Sequence, residues 1–297
     1  MVKWSEVRGS LGLILSGEVP GGRIAEKFSE VSMVRGEFVF RQAGSYITTD
    51  NGYFALQEYL ASVCDLFEGK PVWYRQSDLL NCEISSLEGC DVHLDEINPN
   101  LGPRALRRGL LYPGPLLREI RCVTEVMADF PNLRWFPSFV GAGSELIDLT
   151  DLMGDSEIAL APFAGSMIET PAAVADAEAI VASGASRLVI GLNDLASLFL
   201  GAHRGSIYHQ RQHRLLTQLV VNLASNHDVV VCNLESRSHL ENLFSRADCR
   251  FGVHYGDLWR WFPEQFEEND FDPVFDGRKM ILDVLRSVPK LGQHPCV

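Results

Sequence analysis

The amino-acid sequence predicts an α/β fold, a single (β/α)8 TIM barrel, from three observations. Eight short apolar runs rich in β-branched and aromatic residues are spread along the chain, and amphipathic stretches separate most of them. Continuous apolar strands that alternate with helices are typical of a parallel sheet buried on both faces. The length, 297 residues, is usual for one such barrel with small additions. An open, doubly wound sheet is the alternative.

The local pattern predicts the individual elements. The predicted strands span residues 11–15, 31–40, 71–75, 134–140, 157–163, 187–193, 228–234 and 249–255. Between strands, the stretches "FALQEYLASVCDLFEG" (54–69) and "RLLTQLVVNLASNH" (214–227) carry apolar residues at helical spacing. A strand followed by a helix is therefore the repeated unit of the chain.

Residues 79–118 do not fit a simple strand–helix unit. They contain "EINPNLGPRALRRGLLYPGP", which is dense in Pro, Gly and Arg, and a loop this long is usually functional. The chain has no internal repeat and no linker, so we expect one domain over residues 1–297. Residues 261–297 predict an acidic loop, one more helix and a loose tail.

Composition and charge exclude several functions. The net charge is −13 and the sequence pI is about 5.1, whereas a nucleic-acid-binding protein normally shows a basic face. The seven cysteines are odd in number and form no C-x-x-C pair, which indicates free thiols in a reducing cytoplasm. The apolar run near the N-terminus is too short for a signal peptide, and no apolar run is long enough to span a membrane.

Polar residues cluster where the predicted strands end, and in a barrel the active site lies at the carboxyl ends of the strands. The candidates at strand ends or on the loops that follow are Arg75, Arg104, Glu169, Asn193, Asp194, Arg204 and Cys232. Glu169 and Asp194 are hard oxygen donors of the kind that Mg²⁺ takes, and arginines bind phosphate or carboxylate with paired donors. This combination indicates a small, multiply charged anion as the ligand.

Each of these residues also has an ordinary structural interpretation. A single acid at a strand end is most often a helix N-cap or a solvated loop residue, and an Asn-Asp pair is commonly a turn. A lone cysteine in an apolar strand is usually a small core residue, and loop arginines usually face solvent. Only the joint placement of the candidates favours a site.

Seven segments, in order over roughly residues 25 to 260, resemble the C-terminal barrel of the PEP-utilising enzymes. That family includes pyruvate phosphate dikinase, phosphoenolpyruvate synthase and enzyme I of the sugar phosphotransferase system. "VSMVRGEFVF" resembles the family's "GLLRTEFLF", "PVWYRQSD" resembles "PVIVRTLD", "INPNLGPRALRRG" resembles "ENPMLGWRGIRR", "PSFVGAGSEL" resembles "PLVGTPQEL", "GSMIETPAAVADAEAI" resembles "GTMIEIPRAALTADEI", "GLNDLASLFLGAHRG" resembles "GTNDLTQYTLAVDRG", and "VVVCNLES" resembles "VGICGE".

The resemblance implies a role for each candidate. Glu169 and Asp194 match the Mg²⁺ ligands of the family, and Asn193 matches a phosphate-contacting asparagine. Cys232 matches the acid/base cysteine that protonates or deprotonates C3 of the pyruvate enolate, a role suited to a thiol with a pKa of about 8.5. The arginines that match those holding the phosphate and carboxylate of phosphoenolpyruvate are Arg75, Arg104 and Arg204.

The sequence also departs from the family pattern. "LASL" follows the Asn-Asp pair where the family has "LTQ", "CNL" replaces "CGE", and Pro103 replaces an aromatic residue. No segment resembles the family's phosphohistidine or nucleotide-binding domains. The eight histidines fall outside any such motif, and we expect each to be a surface or loop residue.

Three functions remain open at this point. The first is phosphoryl transfer between phosphoenolpyruvate and a histidine on a separate partner protein. The second is a stand-alone enzyme that uses pyruvate-enolate chemistry, such as a C–C lyase, an aldolase, a mutase or an enolpyruvyl-type transferase. The third is a non-catalytic barrel that binds a ligand. The resemblance also implies Mg²⁺ as cofactor and a homodimer.

Overall fold

A computed structural model describes residues 2–90, 98, 101–156, 159–202, 213–267 and 271. Its central feature is one sheet of eight parallel strands. The strands are β1 (Leu11–Leu15), β2 (Val31–Arg35), β3 (Val72–Arg75), β4 (Leu133–Phe136), β5 (Gly165–Ile168), β6 (Arg187–Gly191), β7 (Asp228–Cys232) and β8 (Arg250–His254).

The strand order shows that this sheet forms a barrel. The hydrogen-bonded order is β4-β3-β2-β1-β8-β7-β6-β5, which is chain order around a ring. At the seam between β4 and β5, the Ala164 amide donates to the Trp135 carbonyl at 2.9 Å and the Met167 amide donates to the Pro137 carbonyl at 3.1 Å. The prediction of a (β/α)8 barrel is confirmed, and the open doubly wound sheet is wrong.

Helices occupy the connections between the strands. Two short 3₁₀ turns, Arg8–Ser10 and Tyr255–Asp257, lie next to β1 and β8. The described α-helices are α1 (Trp4–Val7), α2 (Gly22–Ala25), α3 (Gly36–Ala43), α4 (Asp50–Leu66), α5 (Asn81–Ile84), α6 (Ala105–Leu111), α7 (Pro113–Asp129), α8 (Gly143–Gly154), α9 (Pro171–Ala175), α10 (Ala177–Ala182), α11 (Leu192–Leu200), α12 (His213–Ala224), α13 (Arg237–Phe244) and α14 (Leu258–Trp261).

The predicted strand over 31–40 is too long. The strand ends at Arg35, and helix α3 begins at Gly36. A side chain at position 36 would lie 2.2 Å from the Tyr74 hydroxyl oxygen, so only glycine fits there. The next residue, Glu37, is buried in the first turn of α3 beside two arginines. The positive end of the helix dipole stabilises a carboxylate at this position.

The predicted strand over 157–163 is wrong. Residues 159–164 are irregular, and the strand forms later, at Gly165–Ile168. Pro162 has no N–H for a ladder, and the Ala161 amide donates to the Thr124 hydroxyl at 2.9 Å instead of to a neighbouring strand. As a result, Glu169 directly follows β5.

The long connection over 79–118 contains α5, α6 and the start of α7 in its described parts. Residues 91–97 and 99–100, like the expected C-terminal helix and tail, lie outside the described residues. Within the part of the chain that the structure describes, no helix is both long and apolar enough to cross a membrane. A single domain over 1–297 remains a prediction.

The barrel interior is a small apolar cluster separate from the outer core. Almost every strand contributes to it from its inward face. Its buried members are Ile14, Met33, Trp73, Phe136, Met167, Val189, Val230 and Cys232. On β8 the inward position is Gly252, where an added Cβ would lie 2.9 Å from the Cys232 sulfur. The strands are therefore packed against one another through a filled interior.

Charged residues form a network at the amino ends of the strands. Glu30, just before β2, accepts hydrogen bonds from Arg187 Nη1 at 3.2 and 3.3 Å, from Arg250 Nη1 at 3.2 Å and from the Ser32 hydroxyl at 2.7 Å. The Arg187 guanidinium also lies 4.0 Å from the centroid of the Trp73 ring. Residues at this end of a barrel usually contribute to stability rather than to catalysis.

Candidate active site

Inward-facing residues at the carboxyl ends of the strands form the mouth of the barrel. Side chains alternate along a strand, so the residue two positions beyond an inward residue also faces inward. Counting from the interior cluster, this alternation places inward at the mouth Arg35 on β2, Arg75 on β3, Glu169 after β5, Cys232 on β7 and His254 on β8. The mouth therefore combines cations, a carboxylate, a thiol and an imidazole.

Arg75 is buried in the mouth, with 3% of its side chain exposed. It donates to Glu37 Oε1 through Nη2, and its Nη1 lies 3.8 Å from Asp78 Oδ2. Within the described residues, Arg75 Nε and Glu37 Oε2 are buried without a hydrogen-bond partner. Burial raises the pKa of Glu37, but the charges of Arg75 and Arg35 outweigh it and leave that pKa lowered. An unpaired buried donor on a cation suits an incoming anion.

Arg104, the residue before α6, reaches the same place from the long connection. Its Nε donates to Asp78 Oδ1 at 2.8 Å and its Nη2 donates to Asp78 Oδ2, a bidentate pair. The same Nη2 lies 3.4 Å from Asp194 Oδ2. The guanidinium stacks on the Phe139 ring at 4.3 Å from its centroid. Three different connections therefore position one arginine.

Asp78 is a site residue that the sequence reasoning missed. It stands three residues after Arg75 in "PVWYRQSD", and only the fold shows that its side chain turns back to the mouth. Burial raises its pKa, but the charge and hydrogen bonds of Arg104, with Arg75, lower it to about 2. Asp78 is therefore ionised at neutral pH and neutralises the arginines.

Glu169 lies at the centre of the mouth and is 1% exposed. Its Oε2 accepts from the Phe139 amide at 3.1 Å. Gly191, at the end of β6, leaves room for it, because a Cβ there would lie 2.4 Å from Glu169 Oε1. Burial, followed by the charges of Asp78 and Asp194, raises the pKa of Glu169 to about 8, although Arg75 and Arg104 lower it. The pKa of this carboxyl therefore lies above neutral pH, and a cation bound beside it would lower that pKa.

Three carboxylates meet at this point. Asp78, Glu169 and Asp194 each offer an oxygen, and these atoms all lie within 4.8 Å of one another. Carboxylate oxygens suit Mg²⁺, which takes one or two carboxylates and completes its octahedron with other oxygens, so two of the three are sufficient. The residues present therefore fit the cofactor expected from the sequence.

The Phe139 backbone is strained. Its φ is 54°, a conformation that bulky residues rarely adopt. This conformation aims the Phe139 amide at Glu169 while its ring supports Arg104. Strain of this kind is concentrated at functional sites, where surrounding contacts maintain it.

Cys232 is the last residue of β7 and is fully buried in the interior cluster. Burial raises the pKa of the Cys232 thiol from its ordinary range to about 12, with Arg75 acting in the opposite direction. The next residue, Asn233, has φ 62°, a left-handed conformation that asparagine tolerates better than most residues. The change from "CGE" to "CNL" therefore keeps the backbone conformation that glycine allows.

The structure brings together most of the candidates and leaves two aside. Arg75, Arg104, Glu169, Asp194 and Cys232 converge on the mouth. Asn193 lies beside Asp194 in the first turn of α11, and no described contact ties its side chain to the others. Arg204 lies outside the described residues.

Other residues at the mouth escaped the sequence reasoning. Glu37 falls in the segment mistaken for the end of a strand. The expectation that every histidine is a surface or loop residue does not hold for His254, which is half-buried at the end of β8. The signal that could have found both is register: each stands at or just beyond the end of a strand.

A barrel with its polar side chains gathered at the carboxyl ends of the strands is the architecture of an enzyme. A model of the "PEP-utilising enzyme, PEP-binding domain" matches residues 21–232, well over half of the chain. The chain therefore belongs to the PEP-utilising enzymes, a family of phosphotransferase-type enzymes, as the resemblance of the seven segments indicated.

Curated relatives agree with this family. Phosphoenolpyruvate synthase of Pyrococcus furiosus is 30% identical over 154 residues, which cover 50% of this chain and 19% of that protein. A probable phosphoenolpyruvate synthase of Methanocaldococcus jannaschii is 30% identical over 175 residues, covering 56% of this chain and 15% of that protein. The chain thus matches less than a fifth of the length of these relatives.

A solved structure supports the fold alone. The crystal structure of an HpcH/HpaI aldolase/citrate lyase family protein from Burkholderia cenocepacia superposes with a TM-score of 0.52. The alignment covers 94% of this chain and 95% of that one, at 12% sequence identity. At that identity the likeness is one of architecture and does not extend to the reaction.

Proposed function

We propose that this barrel binds phosphoenolpyruvate and pyruvate with Mg²⁺ and transfers the phosphoryl group to or from a histidine of a separate partner protein. The observation that carries the proposal is the convergence of Arg75 and Arg104 with the three carboxylates Asp78, Glu169 and Asp194 at one mouth. Family membership supports phosphoenolpyruvate as the anion.

The carboxylates would hold the metal. We assign Glu169 and Asp194 as ligands, while Asp78, which lies within reach of both, keeps its two oxygens on Arg104. When bound, Mg²⁺ supplies positive charge that stabilises an enolate oxygen and a transferring phosphoryl group. Loading the site requires Glu169 to give up its proton, since its pKa is about 8.

The arginines would hold the anionic ends of the ligand. Arg75 and Arg104 are already paired with Glu37 and Asp78, so they are positioned before the ligand arrives. Each guanidinium has five N–H donors, and acceptors on the protein use only some of them. Pre-organised donors of this kind stabilise developing charge without moving at the moment of reaction. Asn193 and Arg204 remain candidates for further phosphate contacts.

Cys232 would supply the proton at C3. With a pKa of about 12 the buried thiol is protonated at neutral pH, so it serves as the acid in the direction of pyruvate formation. In that direction the bond from phosphorus to the enol oxygen breaks and a bond from phosphorus to the histidine nitrogen forms. The enolate carbon takes the Cys232 proton, and the histidine N–H proton is released to restore the thiol.

The phosphoryl acceptor would come from outside the barrel. Among the described histidines, His254 is the one that lies at the end of a strand, and its Nε2 bonds Asn233. We therefore propose a partner protein with a phosphorylatable histidine. The family resemblance supports a homodimer of the barrel, and the cysteine pattern supports a cytoplasmic setting, as further proposals.

Phosphoryl exchange tests the proposal. The barrel, mixed with Mg²⁺, phosphoenolpyruvate and the phosphohistidine domain of a complete family member, should release pyruvate and label the histidine. The Arg104→Met variant should not, whereas Arg118→Met, on the outer helix α7, should behave like the wild type. Pyruvate release without labelling of any histidine would refute the partner reaction.

A stand-alone enzyme of enolate chemistry is the second candidate. The polar pair formed by Asn233 and His254 beside Cys232 favours it, because plain phosphoenolpyruvate has no group there to engage. Exchange of the C3 protons of pyruvate in heavy water, with Mg²⁺ and no partner, would support this candidate.

A further inference from the structure

His254 is an inward-facing residue of the barrel mouth. It pairs in register with Ile14 of β1, and Ile14 belongs to the interior cluster. It also lies two residues beyond Gly252, which faces the Cys232 sulfur. Neighbours in register on parallel strands share a face, so both observations give His254 the same orientation. His254 therefore lies one layer of side chains nearer the mouth than Cys232 does.

The imidazole is bonded to the residue that follows Cys232. His254 Nε2 lies 3.1 Å from Asn233 Oδ1, and because an amide oxygen only accepts, Nε2 is the donor. The φ of 62° at Asn233 turns its side chain toward β8. An amide held through its oxygen keeps its two N–H donors for another acceptor.

This pair lies opposite the cationic side of the mouth. In a ring of eight strands, β7 and β8 face β3 and β4. Arg75 and Arg104 would take the phosphate and carboxylate of a ligand, and Cys232 would face its C3 carbon. Whatever is attached to C3 therefore points toward Asn233 and His254.

We propose that Asn233 and His254 form a subsite for an oxygen-bearing substituent on C3, so that the substrate class is 3-substituted 2-oxo acids and their enolates. This inference rests on the ligand placement of the proposed function, and it names a substrate class for the second candidate, the stand-alone enzyme, at the same site. Asn233 donates to the substituent oxygen, and His254 is the positioning residue that holds the amide. A half-buried polar pair favours a polar group over a methyl group there, since a methyl group would displace water without replacing its hydrogen bonds.

Calorimetry with three probes tests the subsite. In the presence of Mg²⁺, the wild type should bind 3-hydroxypyruvate about tenfold more tightly than 2-oxobutyrate, which carries a methyl group on C3. Asn233→Gly keeps the left-handed backbone and removes the amide, and His254→Leu removes its support. Both variants should reduce the preference to about twofold or less, and pyruvate, which has no substituent on C3, is titrated as the reference.

The control is His227→Leu, because His227 precedes β7 at the opposite end of the barrel. It should keep the preference of the wild type. Binding of pyruvate without a preference for 3-hydroxypyruvate, or a preference that survives both variants, would overturn the subsite and leave the proposed function standing. If no 2-oxo acid binds the folded wild type, the proposed function fails and the subsite falls with it.

Discussion

The ionisation of one side chain, Glu169, controls the properties of this site. Its carboxyl is buried beside two other acids, and two arginines compensate only part of that cost. A raised pKa means that the folded chain holds this proton more tightly than the unfolded chain does. Without a bound cation, ionising Glu169 therefore costs stability as pH rises from the ordinary value of 4.5 to about 8.

Metal affinity should depend on pH through the same group. Because the metal must displace a proton below pH about 8, affinity for Mn²⁺ or Mg²⁺ should rise with pH, by up to about tenfold per unit, and level off above that value. Calorimetry between pH 6 and 9 measures this. Glu169→Gln should bind weakly at every pH, and Asp50→Asn, at the exposed start of α4, should match the wild type. A pH-independent affinity would contradict the assignment of Glu169.

Cys232 carries a second prediction at this scale. Cys232→Ala should leave pyruvate binding intact and reduce phosphoryl exchange and C3 proton exchange by at least about a hundredfold, since general acid–base groups contribute about that much. Proton NMR in heavy water follows the exchange. Cys64→Ala is the matched control, because Cys64 is a buried thiol of the outer core with a pKa also raised to about 12. Normal exchange in Cys232→Ala would refute the acid/base role.

Sequence patterns were sufficient to locate most of the strands. Apolar runs located seven of the eight strands, because a buried parallel strand needs little besides β-branched and apolar residues. The pattern failed at β5, where a run broken by Pro162 is irregular, and at β2, where Gly36 and Glu37 begin a helix inside an apolar run. The failure at β2 lies next to the site, where Glu37 pairs with Arg35 and Arg75, whereas the irregular run lies at the amino end of β5.

The start of α6 offers a test of backbone strain. Ala105 has φ 47°, and the family motif "LGWRGIRR" has glycine at that place. Ala105→Gly should raise the free energy of unfolding by about 1 kcal/mol, because alanine is strained in this conformation. Urea denaturation measures it. Ala179→Gly, at an exposed position in helix α10, should instead destabilise by about 1 kcal/mol. A loss of stability in Ala105→Gly would contradict the strain argument.

In the molecule as a whole, the residues that serve chemistry and those that serve stability lie at opposite ends of the barrel. The mouth holds strained backbone and a carboxyl that resists ionisation, whereas the opposite end holds the satisfied network around Glu30. Asp78 could not be assigned to the mouth from sequence, because its placement depends on the turn that follows β3. Residues at strand ends within family motifs, such as Arg75, could be assigned.

The network at the amino ends should affect only stability. Glu30→Gln should cost about 3–5 kcal/mol, because it removes the buried one of the two carboxylates that pair with the buried Arg187. Asp228→Asn removes a partner of the same arginine, but its side chain is 43% exposed and the loss should stay below about 1 kcal/mol. Urea denaturation compares the two. A large change in ligand affinity of folded Glu30→Gln would contradict this division.

The most direct test of the account is calorimetric titration of phosphoenolpyruvate into the wild type with and without Mg²⁺. We predict binding with the metal, at least about tenfold weaker binding without it, and loss of the metal effect in Asp194→Asn. The ligand phosphate and the carboxylates assigned to the metal repel each other unless a cation lies between them. Equal binding with and without Mg²⁺ would contradict the metal site. Absence of binding under both conditions would contradict the proposed function and favour a barrel that has lost this chemistry.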